Sequence, residues 1–124
     1  ENMLNLNKLV ELNNKNNKNA KIIFTLSPIP LIASFRQMPV IQSSLVSKSI
    51  LRTAIDSVLS QNNHPSLYYW PSYEIINTLF SDAYMDDARH IKKSILEFNM
   101  VLFDYCLTNS IPFEEVEDSL FLAR

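Results

Sequence analysis

At 124 residues, with 47% hydrophobic and 19% charged side chains, the chain has the composition of one ordinary soluble globular domain, long enough to bury a core. Its net charge of −2, with Lys and Arg dispersed rather than banded, gives no general attraction for a phosphate backbone and argues against a nucleic-acid partner. Glycine is absent, where about 7% is usual, which excludes a GxGxxG loop, a Walker loop and a GxSxG elbow, since each needs backbone that a β-carbon would block.

In chain order, MLNLNKLVEL (3–12) spaces Leu and Val at helical intervals, and the following NNKNNKNAK run is predicted as the polar break after that helix. KIIFTLS (21–27) is a nearly continuous β-rich apolar run, the pattern of a strand covered on both faces, and Pro28 and Pro30 end it. SSLVSKSILRTAIDSVLSQNN (43–63) places Val46, Ile50, Leu51, Ala54, Ile55, Val58 and Leu59 on one helical stripe, with Asn62 and Asn63 as terminators. After a turn at His64 and Pro65, SLYYW (66–70) is predicted as a second short buried strand, stopped by Pro71. Strand, long helix and strand make a βαβ unit, which favours parallel pairing through a right-handed crossover. YEIINTLF (73–80) is predicted as a short helix, DDAR as a polar turn, HIKKSILEFNMVLFDYCL (90–107) as a long helix packed on the sheet, and PFEEVEDSLFLAR as a loop with a short helix.

No apolar run reaches the roughly 18 residues of a membrane span, and the N-terminus lacks the basic-then-apolar layout of a secretion signal, which favours a cytoplasmic protein away from membranes. A single cysteine, Cys106, excludes an internal disulfide and a multi-thiolate zinc site. At helical spacing among Leu102, Phe103 and Tyr105 it is read as a core residue rather than a nucleophile. The fold class is therefore α/β, in one domain over 1–124. Two strands are few for such a layered protein, so the sheet is expected to leave an unpaired edge with exposed apolar side chains, as half of a larger domain would.

In an open parallel sheet ligands bind beyond the carboxyl ends of the strands, which directs attention to the segments after residues 27 and 70. SPIPLIASF (27–35) leaves the first strand with two prolines fixing its path, and PSYE (71–74) sets a hydroxyl, a phenol and a carboxylate past the second. Shortly after comes MDDARH (85–90), with Asp87 three positions before His90. One helical turn of separation lets a carboxylate orient one imidazole nitrogen and leave the other as a general base. On spacing alone, a solvated helix start is the commoner meaning of Asp-x-x-His.

Four segments together carry more. TLSPIPLIASF (25–35), SKSILR (47–52), YWPSYE (69–74) and DARH (87–90) follow, in order and approximate spacing, a pattern of roughly T-x-S-P-V-P-L-x-A-T-F, S-K-S-x-L-R, Y-F-P-S-Y-E and D-x-R-H. In this the chain resembles the C-terminal half of the GSCFA family, which is similar to the SGNH (GDSL-like) hydrolases. The resemblance implies a partial three-layer α/β/α, flavodoxin-like fold and a Ser-His-Asp type of site in which Asp87 orients His90 and His90 acts as general base and acid. It implies hydrolysis or transfer of an ester or acyl group on a small-molecule substrate, without a cofactor. The Gly-Ser-Cys-Phe-Ala motif that supplies the family's presumed nucleophile does not occur in this glycine-free chain, so the implied nucleophile, Ser or Cys, belongs to an upstream half of the same domain.

Ser27, Tyr73, Glu74 and Arg89 are the accompanying candidates for substrate binding. Each has a plainer alternative: Ser27 as a turn residue, Arg89 as a brace for its loop, Tyr73 and Glu74 as anchors of theirs. Ser34, Ser47 and Ser72 are read as turn or helix-start residues. Lys48 and Arg52, four apart, fit a solvated helix face better than an anion site, His64 is structural, and Tyr68, Tyr69 and Trp70 suit sheet cover better than a stacking platform. Asp86, Asp87, Glu74 and His90 lack the second histidine and regular spacing of a metal site. The alternative to a hydrolase half is a non-catalytic α/β module whose SPIPL and PSYE loops bind a ligand or partner.

Overall fold

The computed structural model describes residues 1–61 and 65–124, which hold seven elements: α1 (Asn2–Asn16), β1 (Ile22–Thr25), α2 (Val40–Gln61), β2 (Leu67–Trp70), α3 (Ser72–Leu79), α4 (Lys93–Leu107) and α5 (Phe113–Ala123). Asn62, Asn63 and His64, expected to end α2 and begin a turn, lie outside the described residues. The architecture is mixed helix and strand with a small parallel sheet, compatible with the α/β class. The chain divides into two compact units, one of Glu1–Leu26 with Leu31–Trp70, the other of Ser27–Pro30 with Pro71–Arg124.

The first unit contains the expected βαβ. β1 and β2 pair in parallel, Ile22 opposite Leu67 through Thr25 opposite Trp70, because the 22-residue α2 between them returns the chain to the same end. The ladder is shorter than KIIFTLS suggested, and β1 is not covered on both faces: its burial alternates, with Ile23 38% exposed and Thr25 exposed. Each strand has one partner among the described residues, so each has an unpaired edge there, and Ile23 on β1 is an exposed apolar side chain. Lys21 and Arg52 lie over the rings of Tyr68 and Tyr69, 5.8 and 4.4 Å from their centroids, which makes those tyrosines sheet cover capped by cations. Arg52 also reaches Asp56 at 3.3 Å, one turn along α2, the role of a helix-face residue.

Two helices depart from expectation in instructive ways. α1 continues through Asn16 into the polar run, since Asn16 donates its side-chain amide to the Leu12 carbonyl (2.8 Å) and the Asn17 N–H closes on Asn13 (2.7 Å), satisfying carbonyls that a helix end leaves open. On α2 only the second half of the apolar stripe is covered: Ala54, Ile55 and Val58 are buried, whereas Val46, Ile50 and Leu51 are exposed.

The second unit holds its core between α3, α4 and α5. Ile76, Phe80, Ala83, Ile91, Ile95, Phe98, Val116 and Ala123 form one buried cluster, with Phe80 and Phe98 edge to face at 5.6 Å. Ser72 opens α3 as a buried residue and accepts a hydrogen bond from the Asn99 side chain at 3.2 Å, also buried. The tail is more regular than expected, since α5 is an 11-residue helix. Cys106 is exposed rather than core. The buried face of α4 is Ile95, Phe98 and Asn99, continues to the half-buried Leu102, and runs out one turn before the cysteine.

Candidate active site

Where a helix was expected to begin at His90, the chain instead makes a tight hairpin and enters α4 only at Lys93. Two backbone hydrogen bonds hold residues 90–92 out of helix: the Met85 N–H donates to His90 O (2.7 Å) and the Lys92 N–H donates to Ala83 O (3.0 Å), which together make Tyr84 and Ile91 an antiparallel bridge. An ion pair between Lys92 and Asp82 crosses the base of the hairpin. Buried Ala83 and Ile91 fasten it to the core, leaving its tip in solvent.

Asp87 organises that tip. One carboxylate oxygen, Oδ1, accepts the backbone N–H groups of Arg89 (3.0 Å) and His90 (2.9 Å), a side-chain turn that fixes the loop without help from helix geometry. The other, Oδ2, bonds His90 Nδ1. The sequence correctly pairs Asp87 with His90, but the spacing works through this turn and not through a helical face. Ala88 between them has φ 53°, the left-handed region, which costs a residue with a β-carbon roughly 1–2 kcal/mol and is held by its N–H bond to Met85 O at 2.8 Å.

The chemistry follows from which nitrogen is engaged. With Nδ1–H donating to the carboxylate, a neutral imidazole carries its lone pair on Nε2, the form that can accept a proton. The bond from His90, then the two backbone N–H groups, hold the Asp87 carboxyl down to about 2 from its ordinary 3.8. Because the folded value is the lower one, these bonds contribute their full stability above pH 3.8 and lose it as the pH falls through about 2. A carboxyl-carbon NMR titration of Asp87 is expected to show that depressed midpoint; a midpoint at the ordinary value would mean the turn is not held in solution. The couple is open, with the His90 side chain 61% exposed and that of Asp87 48%.

The remaining candidates fall as follows. Arg89 is half-buried, gives its backbone N–H to Asp87, and has its Nε buried without a hydrogen-bond partner. Tyr73 and Glu74 are half-buried in the first turn of α3, where their carbonyls accept side-chain bonds from Asn77 (2.8 Å) and Thr78 respectively. Ser27 Oγ accepts the Ile29 N–H at 3.3 Å, the turn role that its position suggested. Among the described residues no three His, Cys, Asp or Glu side chains stand together to hold a metal ion, and no helix is long and apolar enough to cross a membrane.

Tyr84 and Asn77 carry no motif, yet they join the pieces of this unit. The Tyr84 hydroxyl lies 3.1 Å from the Pro28 carbonyl and 2.9 Å from Asn77 Oδ1. Their signal in the sequence is slight: a lone tyrosine three positions before Asp87.

The GSCFA family model matches residues 1–103, a range that includes the hairpin, both strands and every candidate named above. No curated protein and no solved structure matches the chain.

Proposed function

The chain belongs to the GSCFA family, and from that membership we propose that it supplies the Asp-x-x-His arm of an SGNH-like hydrolase site, within a three-layer α/β/α domain completed by an upstream half. The observation that carries this is the bond between Asp87 and His90 Nδ1, made by a side-chain turn on an exposed loop tip.

In this mechanism His90 Nε2 takes the proton of a Ser or Cys nucleophile from the family's Gly-Ser-Cys-Phe-Ala segment as that atom attacks the acyl carbon. The tetrahedral intermediate collapses, and the imidazolium returns the proton to the leaving alkoxide, giving an acyl-enzyme. A water deprotonated by the same nitrogen then attacks the acyl group, and as the bond to the nucleophile breaks the imidazolium returns the proton to that oxygen or sulfur, releasing the acid and the free enzyme. Asp87 stays ionised throughout, holds the tautomer and offsets the imidazolium charge. Ser27, Tyr73, Glu74 and Arg89 are the proposed contacts for a small ester or acylated substrate.

The test is hydrolysis of p-nitrophenyl acetate by the natural full-length protein and its His90→Ala variant. His90→Ala is expected to fall to background, and equal rates for the two would end the catalytic reading. The 124-residue chain alone is expected to show no turnover above its own His90→Ala variant, since an imidazole without nucleophile or oxyanion hole has little to act on.

A further inference from the structure

The hairpin that carries Asp87 and His90 is closed on itself by backbone bonds, and nothing in those bonds fixes it to the segment that follows β1. One side chain does. Tyr84 stands at the hairpin's bridge to Ile91, and its hydroxyl reaches the Pro28 carbonyl at 3.1 Å and Asn77 Oδ1 of α3 at 2.9 Å. Both neighbours are acceptors: the Asn77 amide nitrogen is committed to Tyr73 O at 2.8 Å, which turns its oxygen toward the phenol. A phenol has one proton, so the two oxygens share it. Burial raises the Tyr84 pKa, an effect the Asn77 bond opposes, so the group stays a protonated donor at neutral pH.

Pro28 lies between Ser27 and Ile29, in a run where two prolines remove the backbone donors that could otherwise tie the segment down. The Tyr84 bond therefore bears most directly on where Ser27 stands relative to His90. We infer that Tyr84 is a positioning residue, a latch whose hydroxyl holds the 27–30 segment on the hairpin bearing the Asp87–His90 couple. This rests on the function proposed above for its catalytic consequence, but the latch itself can be tested without turnover.

The experiment compares wild type with Tyr84→Phe in two readouts. Ile29 has the only N–H between the two prolines, and its backbone NMR order parameter is expected to fall from the rigid range near 0.85 to below about 0.6 in the variant. In the full-length protein, kcat/KM for p-nitrophenyl acetate is expected to fall by about 10²-fold, the scale of an ångström's misplacement, with the pH at half-maximal rate unchanged because the Asp87–His90 bonds lie wholly within the hairpin. Asn77→Ala leaves Pro28 as the hydroxyl's single acceptor and is expected to keep Ile29 rigid. Should Tyr84→Phe fail to fold, wild type carbon-labelled at tyrosine Cζ still decides the matter: a latched Tyr84 hydroxyl exchanges slowly with solvent, and a fast-exchanging one overturns the latch. An unchanged Ile29, equal loosening in Asn77→Ala, or a mobile Ile29 with undiminished His90-dependent turnover would each overturn the proposal. Turnover indifferent to His90→Ala would instead bring down the hydrolase reading, while the order parameter continues to judge the latch.

Discussion

Asp87→Asn in the full-length protein is expected to keep the fold and lower turnover by up to about 10⁴-fold. The reason lies in the different work of the two carboxylate oxygens. Oδ1 holds the turn through the Arg89 and His90 N–H groups, and an asparagine carbonyl in that place accepts the same two bonds. Oδ2 faces His90 Nδ1, and there the substitution sets an NH₂ group, which only donates. To bond it, Nδ1 must become the acceptor, which moves the imidazole proton to Nε2 and removes the lone pair that the proposed mechanism uses. Loop geometry thus survives while the tautomer inverts. Asp86→Asn is the control: Asp86 is the exposed neighbour of Asp87, and its loss is expected to leave the rate near wild type. The two variants, assayed in parallel on p-nitrophenyl acetate, separate the residues. A larger loss from Asp86→Asn would identify it as the operative carboxylate.

That pair was legible in the sequence because a local turn makes it, within residues 87–90. Its surroundings were not. The spacing of Asp87 and His90 fits a helix as well as a side-chain turn, and the choice is made by the bridge between Tyr84 and Ile91, through the bonds from Met85 to His90 and from Lys92 to Ala83, which periodicity does not register. The left-handed Ala88 was hidden for a related reason, since glycine is absent and an alanine, unlike Asn109, does not mark a positive φ. Tyr84 is the extreme case, because its partner Pro28 lies 56 positions away and the bond is to a backbone carbonyl, which any residue would present.

The parallel pairing of β1 and β2 followed from apolar runs flanking an amphipathic helix, and it stands. Burial was the weaker inference in both units, for one physical cause. An apolar run or stripe shows that a face needs cover, whereas the identity of the cover is a property of the assembled molecule. Ile23 on β1, and Val46, Ile50 and Leu51 on α2, have the pattern of buried residues and stand exposed. Cys106 has the spacing of a core residue on α4 and lies just past the end of the covered face.

Where cover is complete, the energetics are correspondingly sharp. Ile95→Ala is expected to destabilise the second unit by about 2–5 kcal/mol, the range for removing a fully buried aliphatic side chain and leaving the space partly unfilled. Ile95 is 1% exposed in α4 and belongs to the cluster that includes Ile76, Phe98 and Val116, drawn from three helices that cannot all close on the gap at once. Alanine is the better helix former by a few tenths of a kcal/mol, so the substitution slightly favours α4 itself, and any loss of stability reports packing alone. Leu96→Ala, at the next position and 44% exposed, carries a smaller propensity gain, since leucine is nearly as good a helix former as alanine, and leaves no cavity; it is expected to stay within about 0.5 kcal/mol of wild type. Urea unfolding of the three proteins is the measurement, with Ile95→Ala lowering the midpoint at an unchanged slope. Equal midpoints for Ile95→Ala and Leu96→Ala would show that this cluster is not packed in solution, and the hairpin of Asp87 and His90, anchored to it through Ala83 and Ile91, would then lack the rigid support that the proposed chemistry requires.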